Sequence, residues 1–344
     1  MKNFIFILLF SISISCVSGQ VFIAENQFVL ADGTGPIIKV FDFPKGSLNK
    51  IIPVDEIVYY MKYNETTDKI YAMGPERIMS INPETKEFTV TRVHTSNPQI
   101  MYTPLGVNTR GIALYKVMDM TSPASIKNSL QIYDCHNNKL LREVDFNGTY
   151  ALVEEDGYIG EFDLTIQKRS FETGEVLSEY YNIPNEYQNL IKTTNARPSL
   201  VNMGKYFVVA YNKNATNFNM VYIEKSSAQE AYNEERNSFP NALYSIFYMN
   251  SKIPMIGIPK TRLGSMPSAA DAAKYQKWLQ DRMNPDNNYI EVYEDIKQSK
   301  SIKELDKTNG MTFVNDKIAM VVTKVSYELI DTKTWETVCS IDRF

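Results

Sequence analysis

From Glu56 to Val93 the chain reads EIVYYMKYNETTDKIYAMGPERIMSINPETKEFTVTRV, four short runs rich in β-branched and aromatic residues separated by three turns. The runs are Ile57 to Tyr63, Lys69 to Met73, Ile78 to Asn82 and Glu87 to Val93. The intervening NETTD, GPER and PETK are clusters of Gly, Pro, Asn and Asp, whose backbone preferences end strands. The unit predicted is an up-and-down antiparallel sheet of four strands. The same grammar closes the chain, with strands expected near Met311 to Val314, Lys317 to Thr323, Ser326 to Ile330 and Trp335 to Ile341. YELIDTKTWETVCSI there can be laid over MSINPETKEFTV of the first unit.

Further copies of this strand, turn and strand begin at Ile37, Gln131, Ile166, Asn219 and Tyr289. Seven hairpins give an average period of about 46 residues, within the range of four-stranded propeller blades. A lone four-stranded sheet cannot bury both faces, whereas blades stacked in a ring bury them against one another. The pattern therefore resembles the β-propeller repeat superfamily, WD40-like at the level of fold only. Gly-His and Trp-Asp pairs and kelch-type double glycines are absent. The expectation is an all-β protein, a β-propeller of seven blades, with six or eight as neighbouring counts and a pair of β-sandwiches as the alternative the same strand spacing allows.

If the strands of each blade are called A to D, antiparallel alternation puts the B–C and D–A connections at one end of the sheets and the A–B and C–D turns at the other. Three excursions are expected at the first end: Val117 to Ser129, Glu224 to Pro240, and Pro259 to Asn288. The last is read as a helical insertion. Ser268 with Asp271 forms a capping box, Asn284-Pro285 ends the helix, and Ala272, Tyr275, Leu279 and Met283 form an apolar stripe beside Trp278. That stripe either seals the mouth of the ring or presents Tyr275 and Trp278 to a ligand.

The first nineteen residues, MKNFIFILLFSISISCVSG, combine Lys2, an apolar run and small residues in the layout of a secretory signal peptide. The expected mature protein is one propeller domain over residues 20–344, secreted or extracytoplasmic. The apolar run falls short of the roughly 20 residues of a membrane span. A lipid anchor at Cys16 is the alternative, against which Ser13 stands where an aliphatic residue is usual. Sequons at Asn64, Asn147 and Asn214 are candidate glycosylation sites.

A net charge of −4 provides no basic footprint for nucleic acid. Cys135 and Cys339, the cysteines that remain after cleavage, fall in non-adjacent blades and are expected to be unpaired, since a disulfide requires Cα atoms within about 7 Å. Asp134-Cys135-His136 could suggest a nucleophile or a metal site, but it falls in a C–D turn, where Asp and Asn are explained by backbone preference. Glu154-Glu155-Asp156 invites a glycosidase reading, yet EEDGYIG is an Asp-Gly turn. His94 falls in a D–A connection. No sequence-local zinc, calcium or nucleotide motif occurs, so no metal or cofactor is expected and no catalytic residue is assigned.

The function expected is non-enzymatic binding of a protein, peptide or glycan through the insertion-bearing end, with Arg262, Tyr275, Trp278 and Arg282 as contacts. An exported hydrolase or lyase acting on carbohydrate, with carboxylates at the central channel, is the alternative, and a purely structural surface protein is a third reading.

Overall fold

The computed structural model describes residues 19–31, 33, 35–93, 97–122, 126–137, 139–194, 197–203, 206–213, 217–237, 253–257, 289–293, 301–306, 308–315 and 317–343. These form seven antiparallel sheets, six of four strands and one of three. The first comprises β1 (Gln20–Ile23), β2 (Gln27–Leu30), β3 (Ile37–Asp42) and β4 (Leu48–Pro53). The second holds β5 (Tyr60–Asn64), β6 (Lys69–Met73), β7 (Arg77–Ile81) and β8 (Phe88–Arg92). The third holds β9 (Ile100–Val107), β10 (Ile112–Asp119), β11 (Lys127–Asp134) and β12 (Lys139–Asp145). The fourth holds β13 (Leu152–Val153), β14 (Gly157–Phe162), β15 (Thr165–Ser170) and β16 (Val176–Asn182). After the helix α1 (Asn185–Thr194) comes the fifth, β17 (Ser199–Met203), β18 (Tyr206–Asn212), β19 (Asn217–Glu224) and β20 (Gln229–Asn237). The sixth has β21 (Ile253–Gly257), β22 (Tyr289–Tyr293) and β23 (Ser301–Asp306), and the seventh β24 (Thr308–Phe313), β25 (Ile318–Thr323), β26 (Ser326–Asp331) and β27 (Thr337–Asp342).

Within every sheet, strands pair in chain order, as the repeat predicts. The chain divides into two compact units: Met1–Asn147 with Val153–Tyr158 and Arg169–Glu175, and Gly148–Leu152 with Ile159–Lys168 and Val176–Phe344. In the first unit, β6 shows why the sheets must stack. Its side chains alternate between faces, and both faces are buried: Ile70 and Ala72 pack with Val29, Val40 and Ile52 of the first sheet, while Tyr71 and Met73 pack with Ala113, Tyr115 and Tyr133 of the third. In the second unit, Leu152, Ile159 and Ile166 pack with Phe207, Val209 and Val221 in the same way. Each such side chain contributes about 1.5–3 kcal/mol when fully buried. The fourth strands are more open, as the exposed Leu140, Leu141, Val176 and Leu177 show.

The repeat has a chemical code at the C–D turn. At Asn82, Ser170 and Asp331 the backbone N–H donates to the carbonyl five residues on, and that residue's own carbonyl accepts from the N–H four residues on. The residue accepting these roles also caps the turn with its side chain: Asn82 Oδ1 accepts from Glu84 and Thr85, Ser170 Oγ from Glu172 and Thr173, and Asp331 Oδ1 from Lys333 and Thr334. The fifth position lies at positive φ, 64° at Lys86, 75° at Gly174 and 59° at Trp335. Gly46 and Ala228 occupy the equivalent place at 72° and 54°.

Two expected excursions are corrected. Val117 to Ser129 is strand at both ends, because Val117 pairs with Ser129, Met118 with Asn128 and Asp119 with Lys127, leaving the shorter 120–126 as the connection. Glu224 to Pro240 contains the nine-residue strand β20, paired along β19 with one register shift between Tyr222 and Ile223. Its QEAYNEERN composition suits an outer strand, where charge blunts an open edge. The segment from Pro259 to Asn288, with its expected helix, falls outside the described residues apart from its connection of β21 to β22, strands that pair with each other. The only helix among the described residues is α1, and none there is long and apolar enough to cross a membrane.

Candidate functional site

The Asp134-Cys135-His136 turn resolves into structure rather than chemistry. Cys135 is 3% exposed within the cluster of Tyr71, Tyr115 and Tyr133, and burial pushes its thiol far above the ordinary range. Its N–H donates to Gly111 O at 2.9 Å. Asp134 Oδ1 accepts from the His136 N–H at 2.8 Å, and the His136 ring meets Tyr71 edge-on, with Nε2 2.9 Å from the Tyr71 hydroxyl. A nucleophilic cysteine needs accessible thiolate, and this one has neither access nor a stabilising charge. Cys135 and Cys339 are both free thiols.

The acidic candidates are likewise committed. Glu154 N–H donates to Gly157 O at 2.9 Å, which makes the expected tight turn. The Glu155 carboxylate accepts from Thr109 Oγ1 at 2.6 Å and from Thr109 N–H at 3.2 Å, and Arg110 pairs with Glu172 at 2.7 Å. Glu56 accepts from the Arg77 N–H at 2.6 Å and lies so close to Gly74 that a Cβ there would stand 2.2 Å from its Oε1. Desolvation raises the Glu56 pKa against these backbone hydrogen bonds. Beside it, Tyr115 Oη donates to Gly74 O at 2.7 Å. Among the described residues no cluster of three or more His, Cys, Asp or Glu could hold a metal ion.

Of the sequons, Asn64 has its carboxamide engaged at both ends: Nδ2 donates to Thr109 O at 2.8 Å and Oδ1 accepts from Thr67 N–H at 2.9 Å. Asn147 is exposed, and Asn214 lies outside the described residues. So do His94 and the four expected contacts, Arg262, Tyr275, Trp278 and Arg282.

The arrangement with the character of a recognition site lies in the second unit and was not anticipated. The α1 helix occupies the D–A connection between β16 and β17, at the end of the sheets that carries the B–C and D–A connections. Glu186 in its first turn and Lys192 in its last complement the helix dipole. Ile191, buried in the core, ties the helix to the sheets below it, and Gln188 Nε2 donates to Ile183 O at 2.9 Å, fastening the helix to its own entry segment. This places the partly exposed Tyr187 with its ring centroid 5.6 Å from that of Tyr211, tilted by 43°. Tyr181, from β16, lies 6.3 Å from Tyr211 on a 32° tilt, and the two hydroxyls stand 3.1 Å apart.

Strand register sets the floor of the site. Tyr211 pairs with Asn219, which pairs with Glu235, forming a row across β18, β19 and β20. Asn219 Nδ2 donates to Tyr211 Oη at 3.0 Å. Lys213 forms an ion pair with Glu235, and its Nζ lies 6.0 Å from the Tyr187 ring centroid. Burial, with the Tyr211 hydroxyl next, pushes the Tyr181 pKa far up, while Glu186 raises that of Tyr187. Both are neutral phenols at physiological pH, able to donate and to accept. The sequence did hold a signal: Tyr187 and Ile191 stand at the four-residue helical interval behind Pro184-Asn185, with Ile183 four residues ahead of Tyr187.

No family model matches the chain, and no curated protein is similar to it in sequence. Its similarities are to solved structures. Hydrazine synthase of Kuenenia stuttgartiensis superposes with a TM-score of 0.50 at 9% identity, covering 93% of this chain and 96% of that one. The AfRom2 CNH domain gives 0.49 at 13% identity over 91% and 90%, and the dihydro-heme d1 dehydrogenase NirN in complex with DHE gives 0.38 at 12%. The match to the last covers 61% of this chain and 45% of the dehydrogenase. The repeated antiparallel sheets, with the hydrazine synthase match, make this an all-β protein of the β-propeller type. At such identities the likeness is one of fold alone.

Proposed function

We propose that the protein is an exported, non-enzymatic β-propeller that binds a protein, peptide or glycan through the end of its sheets bearing the B–C and D–A connections. The observation that carries this reading is the placement of Tyr187 by an inserted helix over Tyr211 and beside Lys213. Tyrosine and its neighbours supply contact area together with hydrogen-bonding tips, the composition that dominates recognition surfaces. The expected contacts Arg262, Tyr275, Trp278 and Arg282 fall in the chain between β21 and β22, and reading those strands as B and C of the sixth blade assigns the contacts to the same end of the repeat. By contrast, the carboxylates Glu56 and Glu155 are engaged by backbone N–H groups.

The test is an array of oligosaccharides and peptides probed with the mature chain and with Tyr187→Ala and Trp278→Ala. Loss of a bound feature in either variant supports recognition at this end. Binding unchanged in both would overturn it. Expression with the native leader tests export: the chain recovered from the medium should begin at Gln20, and retention of residues 1–19 would contradict the leader reading.

A further inference from the structure

Resting on that reading, we infer that the site built by Tyr181, Tyr187, Tyr211, Lys213, Asn219 and Glu235 takes a neutral saccharide. The charges of the cluster balance. The one ammonium group of the cluster is already paired with the Glu235 carboxylate, so the site offers no net positive charge to a phosphate, sulfate or carboxylate ligand. Both members of that pair keep about a third or more of their side chains exposed, 34% for Lys213 and 40% for Glu235. They therefore retain outward donor and acceptor capacity while cancelling one another's field.

The mixture of groups also suits a sugar. Tyr187 on α1, Lys213 just past β18, Glu235 on β20 and Tyr181 on β16 bring together an aromatic ring, an ammonium donor, a carboxylate acceptor and a phenol of both kinds. A sugar ring has one face of polarised C–H bonds, which stacks on an aromatic ring, and a rim of hydroxyls that each donate and accept. A ligand whose every polar group is of both kinds matches this rim. A peptide strand would instead call for an unpaired backbone edge; the site's floor strands β18 and β19 are paired on both sides, and its one edge strand, β20, is blunted by the charges of QEAYNEERN.

The site is preorganised. The Tyr211 ring is 3% exposed and its hydroxyl is already held by Asn219 at 3.0 Å and by Tyr181 at 3.1 Å. It acts as a fixed floor, so Tyr187 and Tyr181 lose little freedom when a ligand arrives. Tyr187 provides the stacking face, and Lys213 with Glu235 the hydroxyl contacts.

The experiment is calorimetric titration of the mature chain with cellohexaose, xylohexaose, mannohexaose, laminarihexaose and chitohexaose, with a heparin hexasaccharide as the anionic comparison. The expected result is binding of at least one neutral hexasaccharide in preference to heparin. Tyr187→Ala should weaken it by about tenfold or more and Tyr187→Phe by no more than about threefold, because stacking survives in the latter. Thermal unfolding of each variant establishes that the fold is retained. If no neutral hexasaccharide binds, or if Tyr187→Ala binds as well as the wild type, the saccharide assignment is wrong. Failure here together with peptide binding that Tyr187→Ala abolishes would overturn the saccharide while leaving the recognition end in place. Preference for heparin would overturn the charge argument.

Discussion

Glu161 Oε1 lies 3.6 Å from an Arg197 guanidinium nitrogen, and the carboxylate carrying it is only 2% exposed. The same oxygen accepts from the Leu164 N–H at 2.6 Å, whereas Oε2 is buried without a hydrogen-bond partner. Burial raises the Glu161 pKa above 4.5, and the Leu164 N–H and Arg197 only partly offset it, with Asp163 adding to the rise. A carboxyl group whose folded pKa is raised favours the folded state while protonated and loses that contribution as pH rises through the folded value. Relative to Glu161→Gln, the wild type should therefore lose melting temperature as pH is raised from 4.5 to neutrality. A pH series of thermal unfolding on both proteins checks this, and a relative gain would show that the Arg197 pair dominates.

The approach of Gly74 to Glu56 gives a second prediction. A Cβ at Gly74 displaces the carboxylate that caps Arg77 and Glu76, leaving those N–H groups short of a partner. Gly74→Ala should cost about 1–3 kcal/mol, the range for orphaning a buried polar group. In urea unfolding, Gly74→Ala combined with Glu56→Ala should cost less than the sum of the two single changes. Strict additivity would mean the two residues act independently.

The left-handed position of the C–D turn predicts opposite outcomes for one substitution at two sites. Lys86 is exposed at φ 64°, so Lys86→Gly relieves backbone strain and should stabilise by up to about 1 kcal/mol. Trp335 has φ 59° but is 2% exposed, and Trp335→Gly should destabilise by about 3–5 kcal/mol through the lost packing. Chemical denaturation of both variants reads the contrast.

Cys135 should be inert in the native protein. Burial holds its thiol protonated well past neutral pH, and a thiol reagent at neutral pH should label it only after unfolding. Rapid native labelling of Cys135 would show that the turn opens, and would restore the case for chemistry there.

The repeat was legible because it is written in turns. Asn82-Pro-Glu-Thr-Lys-Glu87 and Asp331-Thr-Lys-Thr-Trp-Glu336 share a capping side chain, a Thr and a left-handed fifth position, and the structure uses each in the same way. Strand limits were less legible where pairing overrides local preference. Met118 and Asp119 join β10, and the acidic QEAYNEERN becomes β20, because neighbouring strands satisfy their backbone groups. Candidate chemistry was misleading locally, since Asp, Glu, Cys and His in turns serve the backbone or the core. The tyrosine site was illegible as a site because its members come from β16, α1, β18, β19 and β20, and only strand register brings Tyr211, Asn219 and Glu235 into a row. The helical spacing of Ile183, Tyr187 and Ile191 was readable but short.

The central claim is that recognition uses the end of the sheets holding α1, and hydrogen exchange tests it most directly. The mature chain is exchanged alone and in the presence of each of the five neutral hexasaccharides. Slower exchange is predicted in Asn185–Thr194 and around Tyr211 to Lys213 and Glu235, with the C–D turns unchanged. No protection with any hexasaccharide would contradict the saccharide assignment, and protection confined to the turns at Asn82 to Glu87, Asp134 to Asn137 and Ser170 to Glu175 would contradict the central claim.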